Sequence, residues 1–386
     1  MFNTILDENH LLPAFKTNNN LIILSSDNNY SLYLGVCIQS IIYNANSKIN
    51  YDIIVLEDNI TDNNKKLITE LAQDKNNISI RFFNMQIFSD KYKTIFFTRA
   101  QFSIATYYRF FIPEIFSKYN RALYLDCDLV ICKDISPLFE TKFDNYCIIA
   151  TPDIQVINDC VQKQPVDGWN LPFNTYLHNI LDIKNINEYF QAGMMILNIT
   201  KLKTMKMSLK CIEKLKEIRH PVYVDQDILN SVFYKQVKFT DLKWNYMYHI
   251  QKTDYLVGNI PSNLYDQYIK AKNEIPCILH LTGRQKPWNN PNQIFAEYFW
   301  KYARQTPFYE KIIYQNLKKE IPYNANNAID LPLVRDTANY LKNKIKYWRY
   351  RLLSKITFGK KRRKYKQKRK ELKTRLKQVR AFLKGK

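Results

Sequence analysis

Arg121-Ala122-Leu123-Tyr124-Leu125-Asp126-Cys127-Asp128-Leu129-Val130-Ile131 is an apolar run broken by two carboxylates one residue apart. Ala122 to Leu125 reads as a short buried strand and Leu129 to Ile131 resumes it, so Asp126 and Asp128 fall where the strand runs out. Burying two unpaired carboxylates costs several kcal/mol, so the pair needs a positive partner. A divalent cation carrying a phosphorylated ligand would supply it, because hard cations take oxygen ligands and share them with phosphates. A bare Asp-x-Asp is also compatible with an ordinary turn carrying two solvated acids, and the rest of the chain has to decide between the two.

Upstream of this stretch, strand and helix signals alternate. Leu21–Ser25, Ile53–Leu56 and Ile78–Phe83 are strand candidates. Helical patterns lie between them at Ser31–Tyr43 and Thr61–Asp74, the second capped by Thr61 or Asp62. A further helical segment runs from about Gln101 to Phe111, just ahead of the Asp-x-Asp strand. This order predicts an α/β fold with a doubly wound, Rossmann-like sheet, whose ligands bind beyond the carboxyl ends of the strands. No G-x-G-x-x-G or Walker loop occurs, which disfavours the dinucleotide and P-loop classes. Downstream, Cys147–Ala150, Met194–Ile199 and Ile278–Leu281 read as strands, and Leu202–Ile218 and Asp225–Tyr234 as helices. Thr151–Tyr189, rich in Asn, Asp and Pro, reads as loops and short helices around the site.

The 386 residues are 46% hydrophobic and 14% aromatic, a composition that builds a core rather than a disordered chain. The formal charge of +23 is unevenly placed: Lys342–Lys386 holds 21 Lys/Arg against the single acid Glu371, and the remainder is nearly neutral. Two helical stripes close the chain, Leu341, Ile345, Trp348, Leu352 and Ile356, then Leu372, Leu376, Val379 and Leu383, each opposed by Lys/Arg. Gly359 and the Lys360–Lys364 cluster separate them. An apolar stripe containing Trp348 beside dense positive charge fits an anionic membrane surface better than nucleic acid, the rival polyanion. The seven cysteines form no Cys-x-x-Cys pair and read as free thiols in a reducing cytosol. Met1–Phe15 lacks a signal-peptide pattern, and no run approaches the roughly 18 apolar residues of a spanning helix. The expected organisation is an extension over 1–20, a catalytic domain over 21–300, a helical connector over 301–340 and a basic tail over 341–386. The expected location is cytoplasmic, peripheral to the inner membrane face.

His280-Leu281-Thr282-Gly283-Arg284-Gln285-Lys286-Pro287-Trp288 supplies what the Asp pair lacks. His280, at a strand end, completes a carboxylate and imidazole set that suits Mn²⁺ better than Mg²⁺, with Mg²⁺ the alternative. Gly283 lets a backbone approach a phosphate, and Lys286 sets a point charge against a leaving diphosphate. Taken alone, such a histidine is an ordinary core or turn residue.

Together these stretches resemble glycosyltransferase family 8, retaining enzymes of the GT-A fold that include bacterial lipopolysaccharide and lipooligosaccharide galactosyl- and glucosyltransferases. The resemblance runs from about Leu21 to Trp288, with its motifs in order. Ser25-Ser26-Asp27-Asn28-Asn29-Tyr30 is similar to the first-strand segment that holds uracil and ribose, which implies donor contacts at Ser25, Asp27, Asn29 and Tyr30. Tyr107-Tyr108-Arg109-Phe110 resembles the segment whose Arg faces the donor sugar phosphates. Asp126-Cys127-Asp128 corresponds to the metal motif, implying Asp126, Asp128 and His280 as metal ligands with Asp126 and Cys127 also lining the donor site. Phe190-Gln191-Ala192-Gly193 resembles the Phe-Asn-Ala/Ser-Gly segment beside the donor sugar, with Gln191 where the family usually has Asn. Its amide is displaced by one C–C bond, about 1.5 Å, which leaves galactose, glucose and N-acetylated sugars open. His280 to Trp288, with Gly283 and Lys286, resembles the family's His-x-x-Gly-x-x-Lys-Pro-Trp motif.

The resemblance implies a UDP-sugar donor, a glycan or glycolipid acceptor such as lipopolysaccharide core, and hexosyl transfer with retention. Asp225-Gln226 resembles the active-site Asp-Gln pair and puts an amide near the anomeric carbon. An amide is a poor nucleophile, which favours same-face attack with the leaving phosphate taking the acceptor proton. Asp153 resembles a family acid that contacts donor or acceptor hydroxyls; a loop-capping aspartate is the plain alternative. The competing functional classes are a polyanion-binding protein working through its tail and a non-catalytic nucleotide-sugar binder.

Overall fold

The computed structural model describes residues 12–17, 19–99, 102–248, 256, 258–283, 285–320 and 332–384. Most of the Met1–Phe15 reading, and the Gln101 end of the helical segment before the Asp-x-Asp, therefore lie outside the described residues. The chain divides into two compact units between Ile313 and Tyr314.

The strands of the first unit are β1 (Asn19–Asp27), β2 (Asn50–Asp58), β3 (Ile78–Asn84), β4 (Arg121–Leu125), β5 (Leu129–Ile131), β6 (Ile148–Pro152), β7 (Pro165–Val166), β8 (Leu171–Pro172), β9 (Phe190–Asn198), β10 (Val237–Phe239), β11 (Tyr246–Met247) and β12 (Ile278–His280). Seven of them form the central sheet in the order β10-β6-β9-β4-β1-β2-β3. β3, β2, β1 and β4 are parallel neighbours, whereas β9 runs antiparallel between β4 and β6. The sheet is therefore mixed, and its order reverses direction beside β1. At such a switch point, crevices open beyond the carboxyl ends of the strands. Period-two alternation sends Leu21 and Ile23 into one hydrophobic cluster and Ile22 and Leu24 into the other, so β1 is buried on both faces.

The expected elements form, with shifted ends. The helix Ser31–Asn44 follows β1, and Asp62–Thr69 starts where Thr61 Oγ1 accepts from the Asn64 amide at 3.3 Å. The segment before β4 is a 3₁₀ helix, Ile104–Phe111. The single helix expected over Leu202–Ile218 is two, Ile199–Thr204 and Met207–Ile218, because Lys206 takes a left-handed φ of +55° that interrupts the helical ladder. Thr151–Tyr189 holds the helices Ile154–Val161 and Phe173–Asn179 around the β7–β8 hairpin.

A second, three-stranded sheet, β11-β12-β5, builds the site. β5 pairs antiparallel with β12 in a register that sets His280 opposite Leu129. Asp128, which precedes Leu129, is thereby brought to the end of β12, and its carbonyl accepts from the Leu281 amide at 2.9 Å. On the other side, the Asp126 amide donates to the Gly193 carbonyl at 2.8 Å, extending the β4–β9 pairing by one step.

In the second unit the helices Pro332–Ile356 and Gly359–Lys384 pack on each other, with Gly359 at φ +60° between them. Tyr350 stacks on Tyr365 with centroids 5.9 Å apart. Ile345, Trp348 and Leu352 are 69%, 52% and 62% exposed, so among the described residues this apolar stripe is largely open. The side chains of Leu341, Ile356, Val379 and Leu383 lie outside the described ones. Among the described residues, no helix is long and apolar enough to cross a membrane.

Candidate active site

Asp126, Asp128 and His280 each offer a ligand atom, and these atoms lie within 4.8 Å of one another. His280 Nε2 is 3.3 Å from Asp128 Oδ1 and 3.9 Å from Asp126 Oδ2. The two aspartates are partly open while His280 is buried. Gly193 keeps the space clear: a Cβ there would sit 2.3 Å from His280 Cε1, 2.8 Å from Asp126 Oδ2 and 2.9 Å from Gln191 Oε1. Two carboxylates and an imidazole nitrogen converging on such a space fit a divalent cation of the Mn²⁺ or Mg²⁺ kind.

Positive side chains brace both carboxylates. Lys286 Nζ lies 2.6 Å from Asp128 Oδ2 and also donates to the Leu281 carbonyl. Burial pushes the Asp128 carboxyl up, but Lys286 and His280 more than offset it and hold the group well below the usual carboxylate range. Arg109 is buried beneath the site. Its Nη2 donates to Asp126 Oδ1 at 2.7 Å, its Nη1 to the Ala192 carbonyl at 2.8 Å, and its Nε lies 3.1 Å from Asp225 Oδ2. The guanidinium also stacks over Tyr124 at 4.1 Å, and the Tyr124 hydroxyl donates to Asp126 Oδ1 at 3.1 Å. Arg109 thus links Asp126 to Asp225 within the site.

Gln226 is held at both ends. Its Oε1 accepts from the Ala192 amide at 3.0 Å, and its Nε2 donates to Asp153 Oδ2 at 3.0 Å and to the Tyr189 hydroxyl at 3.2 Å. Asp153 takes the capping role: Oδ1 caps the helix Ile154–Val161 through the Gln155 and Val156 amides, while Oδ2 accepts from Gln226. Asp225 accepts from the Thr106 hydroxyl. Burial raises the Asp153 and Asp225 carboxyls to about 6 each, against the lowering effect of their donors. Just before the pair, Val224 has φ +36°, an uncommon value for a β-branched residue. Asp227 secures that turn by accepting from the Val222 and Tyr223 amides at 2.7 and 2.9 Å and from the Tyr176 and Tyr189 hydroxyls.

At the end of β1, Asp27 Oδ1 accepts from the Tyr30 amide at 3.0 Å, and Asn29 is exposed. The Tyr30 ring lies 6.1 Å edge-on from Trp288, which stacks on Tyr33 at 4.0 Å, so the two motifs at opposite ends of the domain meet. Cys127 turns its thiol into the core, where it donates to the Ser25 carbonyl at 2.9 Å, so its side chain does not line the crevice. Gly283, at φ +82°, turns the chain after β12. Gln191 Oε1 accepts from the Gly193 amide at 2.6 Å and from Asn245 Nδ2 at 2.7 Å, and Asn245 Oδ1 is 2.9 Å from His280 Nδ1. No sequence signal marks the parts played by Asn245 and Thr106. Asn245 lies in the apolar run Trp244-Asn245-Tyr246, and only the β11–β12 pairing brings it under His280.

Residues 21–291 match the profile of Glycosyl transferase family 8, and the chain belongs to this family. General stress protein A of Bacillus subtilis (strain 168) is 26% identical over 295 residues, 74% of this chain and 93% of its own length. Lipopolysaccharide glucosyltransferase WaaO of Escherichia coli (strain K12) is 25% identical over 358 residues, 89% of this chain and 91% of its own. Among solved structures, the apo bifunctional glycosyltransferase WbbM superposes with a TM-score of 0.71 at 31% identity. That alignment covers 79% of this chain and spans only 53% of WbbM. The protein is thus a glycosyltransferase with a GT-A-type mixed α/β domain.

Proposed function

We propose that this family 8 glycosyltransferase moves a hexose, galactose or glucose, from a UDP-sugar to a glycan or glycolipid acceptor with retention at the anomeric carbon. The observation that carries the reading is the convergence of Asp126, Asp128 and His280, braced by Lys286, at the carboxyl ends of β1 and β4. A divalent cation bound there, Mn²⁺ in preference to Mg²⁺, would neutralise charge growing on the departing diphosphate. Lys286, within reach of Asp128, is the side chain placed to add a second positive charge as the phosphate leaves. Ser25, Asp27, Asn29 and Tyr30 take the nucleoside end, and Gln191, Ala192, Gly193 and Gly283 border the sugar and phosphates.

With retention taken from the family resemblance, the route to it turns on which groups are free to act. Gln226 has its oxygen on the Ala192 amide and its nitrogen on Asp153, and Asp225 is tied to Arg109 and Thr106. Neither offers a free anionic nucleophile. This supports same-face displacement as the proposed route: the acceptor oxygen bonds to the anomeric carbon as the sugar–phosphate bond breaks, and the acceptor proton passes to the leaving phosphate oxygen. Gln226 and Asp153, fixed by these hydrogen bonds, form a rigid wall against which the sugar and the acceptor would be oriented.

Lipopolysaccharide or lipooligosaccharide core is the proposed acceptor, in line with the name of the WaaO relative. The exposed Ile345–Trp348–Leu352 stripe, flanked by Lys and Arg, supports attachment to the anionic inner face of the cytoplasmic membrane. The working division is a catalytic domain over 21–300, a connector and a basic tail. The test is to incubate purified protein with UDP-Gal, UDP-Glc and their N-acetyl forms and measure released UDP. Release from one hexose donor is expected. Release from none would overturn the reading and leave a binding protein.

A further inference from the structure

We propose that Gln191 and Asn245 form a two-amide relay that fixes which nitrogen of His280 carries the proton, with the Gly193 backbone amide as its reference. The inference rests on the cation site proposed above.

One group in the chain of contacts has a polarity that is not open to choice. A backbone N–H only donates. The Gly193 amide therefore requires an acceptor at 2.6 Å, which assigns that end of the Gln191 side chain as Oε1. The same oxygen lies 2.7 Å from one terminal atom of Asn245, which must then be the donor Nδ2. Asn245 is left with Oδ1 facing His280 Nδ1 at 2.9 Å, so in the neutral ring Nδ1 carries the proton. Nε2 is left as a lone pair. It faces Asp128 Oδ1 at 3.3 Å and Asp126 Oδ2 at 3.9 Å, both acceptors, an arrangement that calls for a cation between them. All four members are buried: Gln191 is 8%, Asn245 2% and His280 2% exposed, and Gly193 lies within the sheet. Water therefore cannot readily replace a lost link.

The relay also gives a physical meaning to the glutamine. Asparagine at 191 would end one C–C bond short, about 1.5 Å, and could not keep both donors on its oxygen. Gln191 is thus a positioning residue that acts on His280 through Asn245.

The experiment separates the relay from the activity. In metal-free protein with ¹⁵N-labelled histidine, the His280 signals, assigned with H280Q, report the tautomer directly once the pH has been raised until they no longer move. The wild type should show Nδ1–H. Gln191→Asn and Asn245→Leu should show a mixture or the other tautomer, and Mn²⁺ binding, read by electron paramagnetic resonance, should weaken by about 10–100-fold. Gln191→Glu keeps an acceptor for both donors and should retain the wild-type tautomer and bind Mn²⁺ within about threefold, a contrast that a general loss of structure would not produce. A wild-type Nε2–H tautomer, or a Gln191→Asn protein with unchanged tautomer and Mn²⁺ affinity, overturns the relay. A wild type with the Nδ1–H tautomer but no Mn²⁺ binding overturns the cation site instead.

Discussion

Asp153 and Asp225 are buried carboxylates whose titration falls near 6 and not near 4, and burial is the main cause in both. The sign of the consequence is fixed. A group whose folded pKa is raised binds more protons folded than unfolded, so its favourable contribution is complete below about 4 and is lost as pH rises through about 6. Asp153→Asn isolates one such group while keeping an oxygen for the helix cap. Relative to wild type, the variant should gain stability between pH 4.5 and 7 by on the order of 2 kcal/mol, read from denaturant unfolding at both values. A difference that does not change with pH would mean that Asp153 is ionised throughout. Lys286, read from the sequence as a point charge for a leaving diphosphate, is only 12% exposed and paired with Asp128.

At the scale of elements, two pairings assemble the site: β4 with β9 sets Gly193 beside Asp126, and β5 with β12 sets Asp128 beside His280. Gly193→Ala tests that dependence, since its Cβ would enter the space between His280, Asp126 and Gln191. The strand must shift, at about 1–3 kcal/mol for such overpacking, and both Mn²⁺ affinity and turnover should fall at least tenfold. Wild-type turnover would show that the space does not hold the cation. These pairings also explain what could be read in advance. The parallel strands β1 to β4 and their helices were legible, because runs such as Leu21-Ile22-Ile23-Leu24 carry strand character locally. The candidate ligands were legible because Asp-x-Asp and His-x-x-Gly-x-x-Lys are local motifs. The burial of Arg109, the Asn245 support and the break at Lys206 were not, since each depends on contacts with distant segments or on a single backbone angle.

At the scale of the whole molecule, a nearly neutral body is followed by a tail with most of the +23 charge, and the proposal gives that tail the task of membrane attachment. Deleting 341–386 should release the enzyme from anionic vesicles while sparing transfer to a soluble acceptor. Each Lys or Arg near such a surface contributes on the order of 1 kcal/mol before screening, ample for reversible attachment. The exposed stripe should add a component that salt cannot remove, reported by a blue shift of Trp348 emission. Replacing Leu341, Ile345, Trp348 and Leu352 with Ser separates the two sources of binding. Undiminished vesicle binding after that change would make the tail a polyanion binder. The central claim, that Asp126, Asp128 and His280 hold the cation on which sugar transfer depends, is tested most directly by the rate of UDP release from the preferred UDP-hexose with Mn²⁺, with EDTA and with Asp128→Ala. Release should require Mn²⁺ and vanish both in EDTA and in a folded Asp128→Ala protein; full release in EDTA, or a variant at the wild-type rate, would contradict it.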